Sequence, residues 1–121
     1  MSADANDQQM IERRIMEATR RLNQLAPLIG AARQLIEFAS DMRKNTLAKT
    51  QRRYIERGEG AANSEALARS DPLYIEAFKE DEKRVADAYK VRAEWDAVMC
   101  SFEAGRSLLA MTRETMRTLE G

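Results

Sequence analysis

Histidine is absent from these 121 residues, and cysteine occurs once, at Cys100. Without imidazole, the side chain that most acid–base and nucleophilic mechanisms use near neutral pH is missing. With a single thiol as well, few metal-ligand sets and no disulfide framework remain. An enzyme is therefore not expected, nor a catalytic residue, metal or cofactor. Cys100 is the nucleophile left to consider, and its place beside an apolar stripe reads as packing. Proline occurs twice and glycine five times, and aromatic residues make up 6% of the chain against 33% charged residues, which favours long helices over a sheet. No apolar run approaches the roughly eighteen residues of a membrane span, so no membrane association is expected. The first ten residues, MSADANDQQM, lack the basic and apolar segments of a secretory signal, and with the lone thiol the expected compartment is the cytosol.

What is present is periodic. Ile11, Ile15, Thr19, Leu22 and Ala26 recur at helical spacing, which predicts an amphipathic helix over about 4–26. Pro27 suits the first turn of a helix, so a stop and restart is expected there, with a kinked continuous helix as the alternative. A second helix over 27–57 follows from Leu28, Ala32, Leu35, Ala39, Met42 and Thr46, and Gly58-Glu59-Gly60 offers residues that tolerate a left-handed helix end. Residues 58–71 read as a polar loop with at most one short turn around Ser64. Ser70-Asp71-Pro72 signals a third helix, over 72–119. Its second half carries a seam through Val91, Trp95, Val98, Phe102, Gly105, Leu109, Thr112, Met116 and Leu119, whereas in its first half Asp81 falls where packing calls for an apolar group. The expected fold is all-α: a single domain, 1–121, built as a long-helix hairpin or small bundle. Surplus apolar surface on such helices is best hidden between copies, so a homo-oligomer is expected, with Trp95, Val98, Phe102, Leu109 and Met116 at its interface.

The formal charge is zero, but it is sorted along the chain. Residues 43–57 hold six bases, Arg43, Lys44, Lys49, Arg52, Arg53 and Arg57, against the single acid Glu56. Residues 71–96 hold eight acids and five bases. Continuing the second helix's seam past Thr46 by steps of three and four leads to Lys49, Arg53 and Arg57, so the stripe is expected to turn cationic near the glycines. Arg52 lies beside it and Tyr54 on the same turn. Such a cluster suits phosphates, with a ring on which a base can stack. The competing reading is a solvated helix end, where bases are favoured by the helix dipole and pair with the acidic segment that follows.

The run RRYIERGEG, Arg52 to Gly60, resembles the helix-to-loop junction of the UvsY-type recombination mediators of T4-like phages, with its tyrosine, arginine and glycine-acid-glycine. The wider plan over about 35–115 is similar: a basic helix, this junction, a polar loop, an acidic stretch with tyrosine, and a last helix bearing Trp95 and then Phe102. The register of the basic residues differs by one, leaving Lys49, Arg52 and Arg53 equal candidates for the family's paired DNA-contacting bases. The Trp95–Phe102 spacing differs by one as well. The resemblance implies a homo-oligomer that binds single-stranded DNA and helps load a phage strand-exchange recombinase onto DNA coated by single-strand binding protein, in the cytoplasm of the host cell. Its DNA-binding residues would be Lys49, Arg52, Arg53, Tyr54 and Arg57, extended by Arg43 and Lys44.

Two other readings use different residues. A small phage-encoded inhibitor of a host defence protein would present Glu76, Glu80, Asp81, Glu82 and Asp87 as a phosphate mimic, although Lys79, Lys83 and Lys90 are interleaved with them at helical spacing. A coiled-coil structural adaptor needs only the seams. Arg106 and Arg113 flank the last seam and serve either an interface or a longer DNA track.

Overall fold

A computed structural model describes residues 3–120 of the chain. Among them four helices follow one another and no strand occurs: α1 (Ala3–Glu37), α2 (Ala39–Glu56), α3 (Ala61–Ser70) and α4 (Pro72–Glu120). The architecture is all-α with long helices, as the composition and periodicity predict. The chain divides into two compact units, one made of the segments up to Gly30 and from Val91 on, the other of Ala31–Lys90.

Two boundaries differ from expectation. Pro27 lies inside α1 and does not end it. Leu25 and Ile29, on either side of the proline, are 2% and 7% exposed. Burying two such side chains contributes about 1.5–3 kcal/mol each, which offsets the roughly 3 kcal/mol that an interior proline costs a helix. The break falls instead at Phe38, where φ is −97° and ψ is 10°. Its N–H still bonds to the Gln34 carbonyl at 3.0 Å, and its carbonyl accepts from the Met42 N–H at 2.9 Å, so the axis is interrupted with little loss of hydrogen bonding. The second correction concerns the expected loop, 58–71, most of which is α3. Ser64 and Ala68 are wholly buried in it, and α3 packs against α2. Small residues at i and i+4 let the two helices approach closely, a signal that an apolar-periodicity reading passes over.

In the first unit α1 and α4 run antiparallel. Arg21 pairs with Glu94, and Arg113 lies 3.8 Å from Glu12. Between them Ile15 meets the bare backbone of buried Gly105. Along the α4 seam, Trp95, Val98, Phe102, Leu109 and Met116, expected at an interface between copies, are each half-buried in the single chain. Leu119, the last residue of the expected seam, is 75% exposed, and Leu108 and Met111 also face outward.

The second unit buries Ala39, Ala68, Val85 and Ala88, and polar contacts tie its helices together. Arg43 grips Glu82 through both nitrogens of its fork, Thr46 donates its hydroxyl to Asp81 Oδ2 at 2.6 Å, and Tyr54 donates to Asp71 Oδ2 at 2.5 Å. These pairs set α2 antiparallel to the start of α4 and fix their register. The charge at Asp81 is therefore accommodated by a hydroxyl facing it. Buried Thr50 bonds back to the Thr46 carbonyl at 3.2 Å, and Gln51 donates to Ser64 Oγ at 3.4 Å and to the Ala61 carbonyl at 3.3 Å. Among the described residues no buried side-chain nitrogen or oxygen lacks a partner, the condition under which such a layer is tolerable.

Candidate nucleic-acid interface

The basic end of α2 is shaped by the way the helix stops. Gly58 has φ of 96°, its N–H bonds to the Ile55 carbonyl at 2.9 Å, and the Glu59 N–H reaches back to the Tyr54 carbonyl at 3.1 Å. This paired closure requires a left-handed residue, and glycine supplies it without a Cβ penalty. α2 therefore ends where the glycine run predicts. Its last turns keep Arg52, Arg53 and Arg57 near free carbonyls whose dipole favours cations.

The buried stripe of α2 runs differently from the expected seam. From Thr46 it steps to Thr50, 4% exposed, and on to half-buried Tyr54. Lys49 and Arg53 do not continue it. They stand one residue to the side, and with Arg52 they point outward and are exposed. Steps of four drift around a 3.6-residue helix by about 40° each, and the contacted face follows that drift, from Thr46 against Asp81 to Tyr54 against Asp71, while the Thr50 hydroxyl bonds to the preceding turn. Among the described residues, Lys44, Lys49, Arg52, Arg53 and Arg57 have no carboxylate within ion-pair distance.

Two residues of the expected set have other duties. The Arg43 guanidinium is occupied by Glu82, and that bond raises the Arg43 pKa while holding the Glu82 carboxyl below its ordinary range. Arg43 is thus part of the frame. Tyr54 is not a free stacking ring either. Its hydroxyl is bound to Asp71, and the Arg57 guanidinium lies 5.4 Å from its ring centroid. Asp71 is the start signal of α4 in action: its Oδ1 accepts from the Leu73 N–H at 2.8 Å ahead of Pro72. The Tyr54 hydroxyl first, and then the Leu73 amide, hold the Asp71 carboxyl below its usual range, and the same bond pushes the Tyr54 phenol up. The Tyr54–Asp71 bond thereby ties the basic helix end to the start of α4.

Beside the cations lies a feature that the sequence reading missed. Phe38, Asp41, Met42, Asn45, Thr46 and Lys49, with Asp81 and Arg84 from α4, line an open groove of about 470 Å³. Phe38, Met42, Asn45 and Lys49 are spaced by four, three and four, which puts them on one helix face. That spacing is legible in the sequence, but Met42 also fits the neighbouring stripe with Ala39 and Thr46.

The other clusters are less open. Asp81 and Glu82 of the acidic run are engaged by Thr46 and Arg43, while Glu76, Glu80 and Asp87 are exposed amid exposed Lys79, Lys83 and Lys90. Arg113 faces Glu12, and Arg106 lies 5.7 Å from the Phe102 ring centroid. Cys100 is exposed, and among the described residues no group of three cysteine or acidic side chains is placed to hold a metal ion. No described helix is long and apolar enough to cross a membrane. Comparison with known protein families, curated proteins and solved structures finds no match to this chain.

Proposed function

We propose that the chain is a single-stranded DNA-binding recombination mediator, of the UvsY type that its Arg52–Gly60 junction resembles, and that DNA is held by Lys49, Arg52, Arg53 and Arg57 with Lys44 nearby. The observation that supports this most directly is the exposure of these five cations without carboxylate partners, in a protein whose other cations include several paired ones. A polyanion that displaces counterions from its own backbone gains most from cations that have no protein partner to give up. Each protomer offers one modest patch, so useful affinity requires several patches on one strand, which a homo-oligomer provides. The protein partners implied by the resemblance are a phage strand-exchange recombinase and a single-strand binding protein, and the implied site of action is the host cytoplasm.

The test is fluorescence anisotropy of a labelled oligothymidylate across a salt series. For single strands the logarithm of the binding constant falls by about 0.7 per phosphate contact for each logarithm of salt. Substituting Lys49, Arg52 and Arg53 together by Ala should reduce that slope by about 2 per protomer and weaken binding. Arg43→Met should leave the slope unchanged, because Arg43 faces Glu82. Undiminished low-salt binding by the triple variant would show that the assigned site is wrong. Mass in solution, with and without the oligonucleotide, tests the assembly.

A further inference from the structure

We infer that the groove headed by Phe38 is a base-stacking subsite, through which this protein prefers single-stranded over duplex DNA. The inference rests on the proposed DNA-binding function and adds the part that a patch of cations cannot provide, since phosphates are common to both forms of DNA.

The ring that the sequence reading assigned to stacking, Tyr54, is half-buried and committed to Asp71 and Arg57. Phe38 differs. Its side chain is 49% exposed at the break between α1 and α2, and among the described residues no ring contact claims it. It shares one helix face with Asn45 and Lys49, and Arg52 and Arg53 follow on the next turn. From Phe38 to Arg53 is about 20 Å along the axis, a few nucleotides of extended strand.

The lining of the groove sorts what can enter it. Asp41 and Asp81 repel a phosphate from the interior, and Asp81 is already held by the Thr46 hydroxyl at 2.6 Å. A base fits better, because its face stacks on an aromatic ring and its edge meets the amide of Asn45 or the carboxylate of Asp41. Lys49 and Arg84, on opposite helices of the same unit, flank the groove and meet the phosphates on either side of that base. In a duplex every base is stacked between its neighbours and cannot turn into the groove. Only the cations then act on the duplex, which binds more weakly than the single strand.

The experiment compares a single-stranded oligonucleotide with the same sequence as a duplex, using the full chain. Wild type should bind the single strand more tightly. Phe38→Ala should weaken single-strand binding by about tenfold, the scale of one lost base–aromatic stack, and leave duplex binding and the salt slope unchanged. Phe38→Trp should restore the preference, with its fluorescence quenched when the strand binds. The variant with Lys49, Arg52 and Arg53 replaced by Ala should weaken both forms. If Phe38→Ala binds the single strand as wild type does while the triple variant fails, the subsite is refuted and the DNA-binding function stands. Equal losses on both forms of DNA from Phe38→Ala, or no rescue by Phe38→Trp, also refute the subsite. If wild type binds neither form, the function and the subsite fall together.

Discussion

Gly105 allows a sharp test of how α1 and α4 meet. An ideal Cβ at this position would stand 2.9 Å from Ile15 Cγ1 and 3.7 Å from Ile15 Cδ1. Carbon atoms settle at about 3.5–4.0 Å, so the nearer contact falls short by roughly 0.6 Å or more. Ile15 Cγ1 sits on a β-branched side chain with little rotamer freedom in a helix, so it cannot simply turn away. Two terms then compete in Gly105→Ala. Replacing a helix-interior glycine by alanine stabilises by about 1 kcal/mol, whereas overpacking costs about 1–3 kcal/mol. The expected net is a destabilisation of about 1 kcal/mol. Removing the obstacle reverses the sign. Ile15→Ala alone should cost about 2 kcal/mol, the low end for such a truncation because the residue is half-buried. In that background Gly105→Ala should stabilise by about 1 kcal/mol, since its methyl group enters vacated space. Urea unfolding followed by far-ultraviolet circular dichroism on the four proteins measures both steps. Stabilisation by Gly105→Ala in the wild-type background, of the size seen for an exposed helix glycine, would refute the close approach.

Further outcomes follow from the backbone and from the Tyr54–Asp71 bond. Gly58→Ala forces a side chain into a left-handed conformation with otherwise open space around it, and should destabilise by about 1–2 kcal/mol in urea unfolding. Gly60→Ala, at φ of −69° with equally open space, should be neutral or slightly stabilising. Pro27→Ala restores a helical N–H in the interior of α1 and should stabilise by up to about 3 kcal/mol, and a loss of stability in the same assay would show that the helix is shaped around the proline. Asp71 and Tyr54 shape opposite limbs of the pH–stability curve. The folded Asp71 carboxyl lies below its unfolded value, so its contribution is complete above the unfolded value and lost as pH falls through the folded one. The folded Tyr54 phenol lies above its unfolded value, so its contribution is complete below the unfolded value and lost as pH rises through the folded one. Thermal unfolding across pH should therefore show a flatter acid limb for Asp71→Asn and a flatter alkaline limb for Tyr54→Phe.

Much of this protein is written in local chemistry. Scarce glycine and proline and the recurrence of apolar residues at three and four specify long helices, because each residue's preference and its face are local properties. The end of α2 at Gly58 and the start of α4 at Asp71-Pro72 are equally legible, since caps are made by neighbours in sequence. Clustering of cations near the glycine run is visible for the same reason. Whether those cations are free is not, because a partner can come from anywhere in the chain. Only the tertiary structure takes Arg43 for Glu82 and the Tyr54 hydroxyl for Asp71, and leaves Lys49, Arg52 and Arg53 facing outward. It also carries the helix through Pro27, since burial on both sides of the proline outweighs one lost hydrogen bond. The segment expected as a loop becomes α3, because Ser64 and Ala68 find a close surface on α2, which apolar periodicity does not register. Side-chain spacing settles which residues share a face, and packing across helices settles what each face meets.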